Sequence, residues 1–182
     1  IHVDGMTLTG DTIYYDKAKG YGKCIGNIES VDSTKQMTLY GHISEIWEDE
    51  SKVYVTDSAM LLDWSDSTAY TYMHADSLWT EEIPYQVYSL LEKDSILVDS
   101  ILIAQEPDTT YQQVRAFRHV RIYREDVQAV CDSVRYHGKD SIITLFGLPI
   151  CWNENHQISA EQIDIYIKNE DIDYLHGQTN AI

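Results

Sequence analysis

The sequence predicts an all-β fold built as a ladder of antiparallel rungs, and three observations support this prediction. A short phrase of apolar, small, acidic and hydroxyl-bearing residues recurs six times along the 182 residues. The apolar residues are rich in Ile, Val and Tyr, with 14 tyrosines, as a pleated and half-buried surface requires. Alternating apolar stretches are frequent, whereas long helical runs are scarce. Such internal similarity indicates one structural unit stacked on itself.

The spacing of apolar residues within the recurring phrase predicts a corner in the strand. Its apolar residues fall at relative positions 0, 2, 5 and 7, so two alternating stretches are joined by a slip of one residue at the acid. This slip predicts a bulge, where the acid and its hydroxyl neighbour hydrogen-bond freed backbone groups. A structural role is therefore favoured over catalysis for the acids of the six copies, which are Asp11, Asp57, Asp76, Asp99, Asp132 and Glu161.

A second phrase lies between copies of the first. Its clearest copy is Gly26, Asn27 and Ile28, and further copies lie around Gly41, Ala116, Gly147 and, more weakly, Gly177. Outside the middle of the chain the two phrases follow each other at steps of 14 to 17 residues. This spacing leaves room for one or two strands of about five residues and a turn. The ladder is therefore predicted to have nearly even rungs.

The middle of the chain interrupts this rhythm, with steps of 19 and 23 residues between positions 57 and 99. We predict a decorated loop insertion around 80–112, in which Thr80–Asp94 forms a loop or lid with room for one helical turn and 105–110 forms a turn. Neither part has the composition of a domain linker, so residues 1–182 are expected to form a single domain. The first phrase begins by Leu8 and no signal peptide is visible, so we expect a targeting segment and further rungs to precede this chain.

The charge excludes one class of partner. With 13 basic and 30 acidic residues the net charge is −17, and nucleic acid would be repelled. The same charge argues against simple electrostatic docking on an anionic membrane. No apolar run approaches the 18 or so residues that span a bilayer.

The reactive side chains indicate no enzyme, metal site or cofactor. The three cysteines, Cys24, Cys131 and Cys151, are odd in number and lack CxxC spacing, so we expect buried free thiols rather than a bridge or a zinc site. The seven histidines show neither HxH nor HExxH spacing, and no GxGxxG, P-loop or GxSxG motif occurs. A thiol enzyme using Cys131 and His137 is disfavoured, since the two residue types co-occur in most chains of this size.

Long segments of the chain resemble the OstA/LptA-like family of lipopolysaccharide-transport proteins, and most of all the larger OstA-like proteins of Bacteroidetes-type bacteria. In that family a phrase of small residue, Asp, any, apolar, any, Tyr alternates with a Gly-Asn-Val phrase. The matches here are Gly10 with Asp11, Cys131 with Asp132, and Gly26 with Asn27. The resemblance covers nearly all of the chain outside about 80–112, and the alternation over 150 residues is specific. The sequence departs from the pattern at Gly41–His42, Ala116–His119 and Gly147–Leu148, where Asn is replaced.

The resemblance implies a β-jellyroll or taco-like fold in the periplasm that shields acyl chains of lipopolysaccharide between two membranes. The first hypothesis is therefore a periplasmic carrier that binds lipopolysaccharide or another acylated lipid and does no bond chemistry. Other β-repeat transport components, and further copies through residues 1–15 and 165–182, are expected to stack on its edge strands. Given the charge, either divalent cations mediate binding or head groups stay outside. Candidate lipid-binding residues of the inner wall are Leu39, Ile43, Ala59, Leu61, Met73, Leu78, Val120, Ile122, Val134, Ile150, Ile163 and Ile165.

Two alternatives remain open at this point. A structural or scaffolding β-repeat would bind a protein partner through its end rungs. A carbohydrate-active β-solenoid enzyme would need paired carboxylates about 5 to 10 Å apart in an open groove. The interior of the fold distinguishes the three hypotheses. An unfilled apolar slot favours the carrier, and a filled slot favours the scaffold. Clustered acids in a polar cleft favour the enzyme. On composition alone, a filled core without ligand is favoured.

Overall fold

The computed structural model describes residues 2–3, 5–85, 109–153, 156–169 and 171–182. Within them the chain forms one antiparallel sheet of fourteen strands, and the predicted all-β class is confirmed. None of these segments forms a helix of the length and hydropathy that membrane crossing takes. The strands are β1 (His2–Val3), β2 (Met6–Thr9), β3 (Thr12–Asp16), β4 (Tyr21–Asp32), β5 (Met37–Trp47), β6 (Lys52–Asp63), β7 (Thr71–Tyr85), β8 (Thr109–Tyr123), β9 (Val127–His137), β10 (Ile142–Phe146), β11 (Ile150–Asn153), β12 (His156–Ser159), β13 (Gln162–Lys168) and β14 (Asp171–Gln178).

The sheet is a meander whose strands mostly pair with their neighbours in sequence. The order is β1-β2-β4-β5-β6-β7-β8-β9-β10-β13-β14, with β3 beside β4 and β11 between β9 and β12. Short polar turns join several of the strands, as between β4 and β5, where the Asp32 carboxylate accepts hydrogen bonds from the backbone N–H groups of Thr34 and Lys35. Within the described residues the sheet is not closed, with β1 and β3 at one edge and β12 and β14 at the other.

The long strands bend at bulges that lie side by side across the sheet. The pairing register shifts between Ile25 and Ile28, and equivalent shifts follow on the neighbouring strands at 40–43, 56–59, 74–77 and 117–120. Several residues there have the left-handed backbone that a bulge needs: Asn27, Asp57, Ser58, Arg118 and His119. The shifts on β6 and β7 confirm the bulges predicted at Asp57 and Asp76. Those on β4, β5 and β8 fall at the second phrase, for which no bulge was predicted, and the five shifts together form a corner line. The predicted copy around Asp99 lies outside the described residues.

The corner line divides the sheet into two walls that face each other. Wall 1 comprises β3, β10, β13, β14 and residues 21–25, 43–47, 52–56, 77–85, 109–117 and 133–137. Wall 2 comprises β2, β11, β12 and residues 28–32, 37–40, 59–63, 71–74, 120–123 and 127–131. Alternate residues of each wall point into the space between them, which places the core there.

The core is most tightly packed beside the corner line. Val55, Leu78 and Ile163 of wall 1 are fully buried, and so is Ala59 of wall 2. Burial of each Val, Leu or Ile side chain contributes roughly 1.5–3 kcal/mol. The two walls are thus held together chiefly by apolar contact near the bend.

The prediction of a loop at 80–112 is wrong at both ends of this range. Strand β7 continues to Tyr85 and β8 begins at Thr109, with Pro84 opposite Thr110. The pairing of β6 with β7 reaches only Val53 opposite Thr80, so residues 81–85 pair with β8 alone. Pro84 is tolerated because a proline needs a strand edge where no N–H donor is required. The predicted helical turn and the rest of the insertion, 86–108, lie outside the described residues.

Candidate binding groove

A groove runs between the two walls on the side opposite the corner line. Its larger cavity has a volume of about 300 Å³, at the lower end of the range for small-molecule sites. The lining is mainly apolar, with polar residues at the mouth. The apolar lining residues are Met37, Leu61, Ala69, Met73, Val114, Ile122, Val127, Ala129, Tyr136, Ile143, Ile165, Ile167 and Ile172.

A smaller cavity of about 210 Å³ continues the groove toward β4 and β5. It is lined by Met6, Leu39, Ile46 and Val53, among others, and by the buried polar residues Ser30 and Thr80. Lys35 and Met37 line both cavities. The two cavities are therefore neighbouring parts of one groove.

Polar side chains join the walls at the mouth between the cavities. Lys35 Nζ of the β4–β5 turn lies 2.8 Å from Glu82 Oε1 of β7, and this hydrogen bond holds the pKa of Glu82 below its ordinary value. Gln112 Nε2 of wall 1 donates to Met37 Sδ of wall 2 at 3.2 Å. The groove is thus narrowed at this point by contacts across its mouth.

A second ion pair joins the walls beside the larger cavity. Arg124, which follows β8 on wall 2, lies 3.2 Å from Asp171 of wall 1 and 2.6 Å from Asp126 on its own side. The Arg124 side chain is 13% exposed, and this residue lines the larger cavity. The anionic chain therefore presents cationic groups at the mouth of an apolar groove.

Ten of the twelve predicted inner-wall residues lie in the core between the walls. Leu39 lines the smaller cavity, and Leu61, Met73, Ile122 and Ile165 line the larger one. The others pack beside the corner line without lining either cavity, and these are Ala59, Leu78, Val120, Val134 and Ile163. The interior is accordingly filled near the bend and open near the mouth.

The inward placement of Ile43 and Ile150 is wrong. Each is only partly buried and alternates with a buried neighbour, Ser44 or Cys151, so each lies on the outer face. On β5 the bulge between Tyr40 and Ile43 shifts the alternation by one residue, which turns Ile43 outward. Ile150 pairs with Val130, which is 37% exposed on the same outer face.

Some groove residues were missed although the sequence carried a signal for them. The missed residues are Ile143 and Ile167, which line the larger cavity. Ile167 follows the predicted Ile165 along β13 with the two-residue period of a half-buried strand, and Ile143 precedes buried Leu145 along β10 in the same way. Tyr136 also lines the larger cavity, and burial raises its pKa. Extending the alternation beyond each phrase would have found the isoleucines.

Three of the corner acids, Asp11, Asp76 and Glu161, bind side chains of the next rung. Asn27 Nδ2 donates to Asp11 Oδ2 at 2.9 Å, and Asn180 Nδ2 donates to Glu161 Oε1 at 2.8 Å. His119 Nδ1 lies 3.1 Å from Asp76 Oδ1. The prediction that these acids satisfy freed backbone groups is wrong for these three, because Asn or His from the neighbouring corner is within reach. These contacts hold adjacent corners together on the outer side of the bend.

The cysteines are unpaired and poorly ionised. Cys24 and Cys151 are buried and Cys131 is half-buried. Burial, with Asp132 nearby, raises the pKa of Cys131 to about 12, and burial raises that of Cys151 to about 11. A thiol this weakly acidic is a poor nucleophile. In the described part of the chain, no three His, Cys, Asp or Glu side chains come close enough to hold a metal ion.

Comparison with known proteins gives a structural likeness and no sequence match. No family model matches the sequence, and neither does any curated protein. LptH of Pseudomonas aeruginosa, described as the LptA-homologous periplasmic component of the lipopolysaccharide transport device, superposes with a TM-score of 0.55 at 10% identity. The match covers 78% of this chain and 82% of LptH. The chain therefore has an LptA-like β-jellyroll fold.

Proposed function

We propose that this protein is a periplasmic carrier or bridge component that shields acyl chains of lipopolysaccharide, or of another acylated lipid, in the groove between its walls. The observation that carries the proposal is the apolar cavity at the mouth of a sheet whose fold LptH shares. A lipid with its chains in this cavity would remove apolar surface from water at roughly 25 cal/mol per Å². The proposal involves no bond chemistry.

The polar groups at the mouth suit an amphipathic ligand. Lys35 and Arg124 lie where the apolar lining meets solvent. An ammonium or a guanidinium group attracts phosphate and carboxylate head groups, and a guanidinium binds them through paired hydrogen bonds. Acyl chains inside and an anionic head group at the rim would therefore fit together, despite the net charge of −17.

A scaffolding role is the second candidate, and the sheet edge supports it. Ile13 and Tyr15 of the edge strand β3 are each 38% exposed. An exposed apolar edge strand invites another strand to pair with it. The same edge would serve the carrier by stacking on other β-repeat transport components, with residues 1–182 acting as one OstA-like domain of a longer ladder.

Lipid binding is tested on protein purified from the periplasm of a Gram-negative host. Native mass spectrometry and organic extraction are expected to recover bound acylated lipid, and the protein should bind purified lipopolysaccharide but not its deacylated form. If no lipid is recovered and neither lipopolysaccharide nor its deacylated form binds, the scaffolding role is the better hypothesis.

A matched pair of variants locates the bound lipid. Met73→Trp fills the larger cavity, whereas Met60→Trp makes the same change on the outer face between buried Ala59 and Leu61. Met73→Trp is expected to reduce lipid binding at least about tenfold, since overpacking leaves no room for a chain. Met60→Trp is expected to bind like the parent. Thermal unfolding of both variants shows whether the fold is retained.

A further inference from the structure

The Lys35–Glu82 ion pair connects parts of the chain that no strand pairing joins. Lys35 belongs to the turn between β4 and β5 on wall 2, and Glu82 to the end of β7 on wall 1. Their charged atoms lie 2.8 Å apart, with side chains 27% and 31% exposed. A partly shielded pair at this distance is stronger than one in open solvent.

Both partners are held in position before they meet. Asp32 lies 3.8 Å from Lys35 Nζ and fixes the turn through the backbone N–H of Lys35. Thr110 Oγ1 donates to Glu82 Oε2 at 3.2 Å from the neighbouring strand. Such support lowers the entropic cost of holding the pair together.

The pair lies where the groove is divided. Lys35 lines both cavities, Glu82 lines the smaller and Gln112, which binds Met37, lines the larger. Cavities of about 210 and 300 Å³ each suit one small ligand or a single short chain, so a lipid with several chains needs the walls further apart.

We infer that the Lys35–Glu82 pair is a latch that holds the groove mouth closed, and that a lipid enters the groove when this pair opens. The inference rests on the carrier function proposed above and adds the step that controls loading. The walls would move apart about the corner line, which serves as the hinge. The core is filled there, and continuous strands join the two walls.

The second cross-wall pair is a weaker link. Arg124 is bound closely to Asp126 on its own wall, and Asp171 is 83% exposed. An exposed carboxylate contributes little to an ion pair. Opening is therefore governed chiefly by Lys35 and Glu82.

The test uses purified protein and a dansyl-labelled fatty acid. It measures the rate of uptake and the amount bound at equilibrium. Lys35→Glu and Glu82→Lys are each expected to accelerate uptake about two- to fivefold, which is the scale of one partly exposed ion pair. The double variant K35E/E82K forms the pair in reverse, but its carboxylate at position 35 lies beside Asp32. Its uptake rate is therefore expected to lie between those of the single variants and that of the parent.

The control is an ion pair of the same chemistry within one wall. Lys23 Nζ lies 2.9 Å from Glu45 Oε1, and both residues belong to wall 1. Lys23→Glu is expected to leave the uptake rate unchanged. Equal acceleration by Lys23→Glu and Lys35→Glu would overturn the latch, because a general change of charge would then explain both.

The amount bound at equilibrium separates the two proposals. If the parent binds the probe but neither Lys35→Glu nor Glu82→Lys changes the uptake rate, the latch is wrong and the carrier function stands. If no form of the protein binds the probe, the carrier function fails and the latch fails with it. Joining K35C and E82C with a short bis-maleimide should block uptake, and undiminished uptake by the joined protein would also overturn the latch.

Discussion

Gly147 at the corner after β10 has a backbone that other residues rarely adopt. Its φ is +79°, and a Cβ atom added there would lie 2.5 Å from the Cβ of Asp132. Gly22 on β4 has no positive φ, and its added Cβ would meet neighbours only at 3.7 to 3.9 Å. The two positions therefore differ. The backbone conformation at Gly147 requires a glycine, whereas the backbone at Gly22 would accept a larger residue.

Gly147→Ala is expected to lower the free energy of unfolding by roughly 2–4 kcal/mol, because it combines left-handed strain with a close contact. Gly22→Ala should change it by less than about 1 kcal/mol. Urea unfolding of both variants measures the difference. Equal losses would show that the corner at Gly147 does not need its glycine.

The thiols give a prediction about reactivity and pH. With pKa values of about 12 for Cys131 and about 11 for Cys151, fewer than roughly one thiol in a thousand is ionised at pH 8. Native protein should therefore react slowly with iodoacetamide, and denatured protein without reductant should yield at least two thiols per chain. One thiol in every denatured molecule would reveal a native bridge.

The raised pKa of Cys131 also determines the direction in which the free energy of unfolding changes with pH. Because the folded pKa of Cys131 is raised, the unfolded thiol ionises first, so stability is unaffected below its ordinary pKa of about 9 and falls as pH rises toward about 12. Cys131→Ala is expected to lose less stability over that interval than the parent does. The free energy of unfolding at pH 7 and pH 10 measures this.

At the scale of the strand, the bulge decides which residues face the core. On β5, Leu39 is 4% exposed before the corner, whereas Ile43 after it lies on the outer face. Leu39→Ala should lower the free energy of unfolding by roughly 2–4 kcal/mol, and Ile43→Ala by less than about 1 kcal/mol. A loss at Ile43 as large as that at Leu39 would contradict the outward placement.

The sequence predicted the strands and corners because alternation and its slips are local. The slip itself could be placed only to within a residue, which is why Ile43 was assigned to the wrong face. Pro84 was read as a loop signal, yet it occupies an edge where no N–H is needed. Lys35 and Glu82 lie 47 residues apart in a turn and a strand, and no periodicity pairs them. The groove wall was therefore predictable, and the contacts across its mouth were not.

For the whole molecule, the open ends of the sheet govern association. Strand β3 lies at one edge with Ile13 and Tyr15 partly exposed, and β14 lies at the other. Pairing one edge with the other would join the grooves of two copies end to end. The net charge of −17 opposes this contact, and added salt screens that repulsion.

We expect light scattering to show association that grows with protein concentration and strengthens with ionic strength. Ile13→Lys combined with Tyr15→Lys should keep the protein monomeric, because charges on an edge strand oppose pairing. Tyr72→Lys combined with Tyr123→Lys is the matched control, since these tyrosines are 38% and 52% exposed on the central strands β7 and β8, far from either edge. A monomer at about millimolar protein in both low and high salt would contradict the prediction. A dimer that survives the edge substitutions would do the same, because the contact would then lie on a face of the sheet and the grooves would not be continuous.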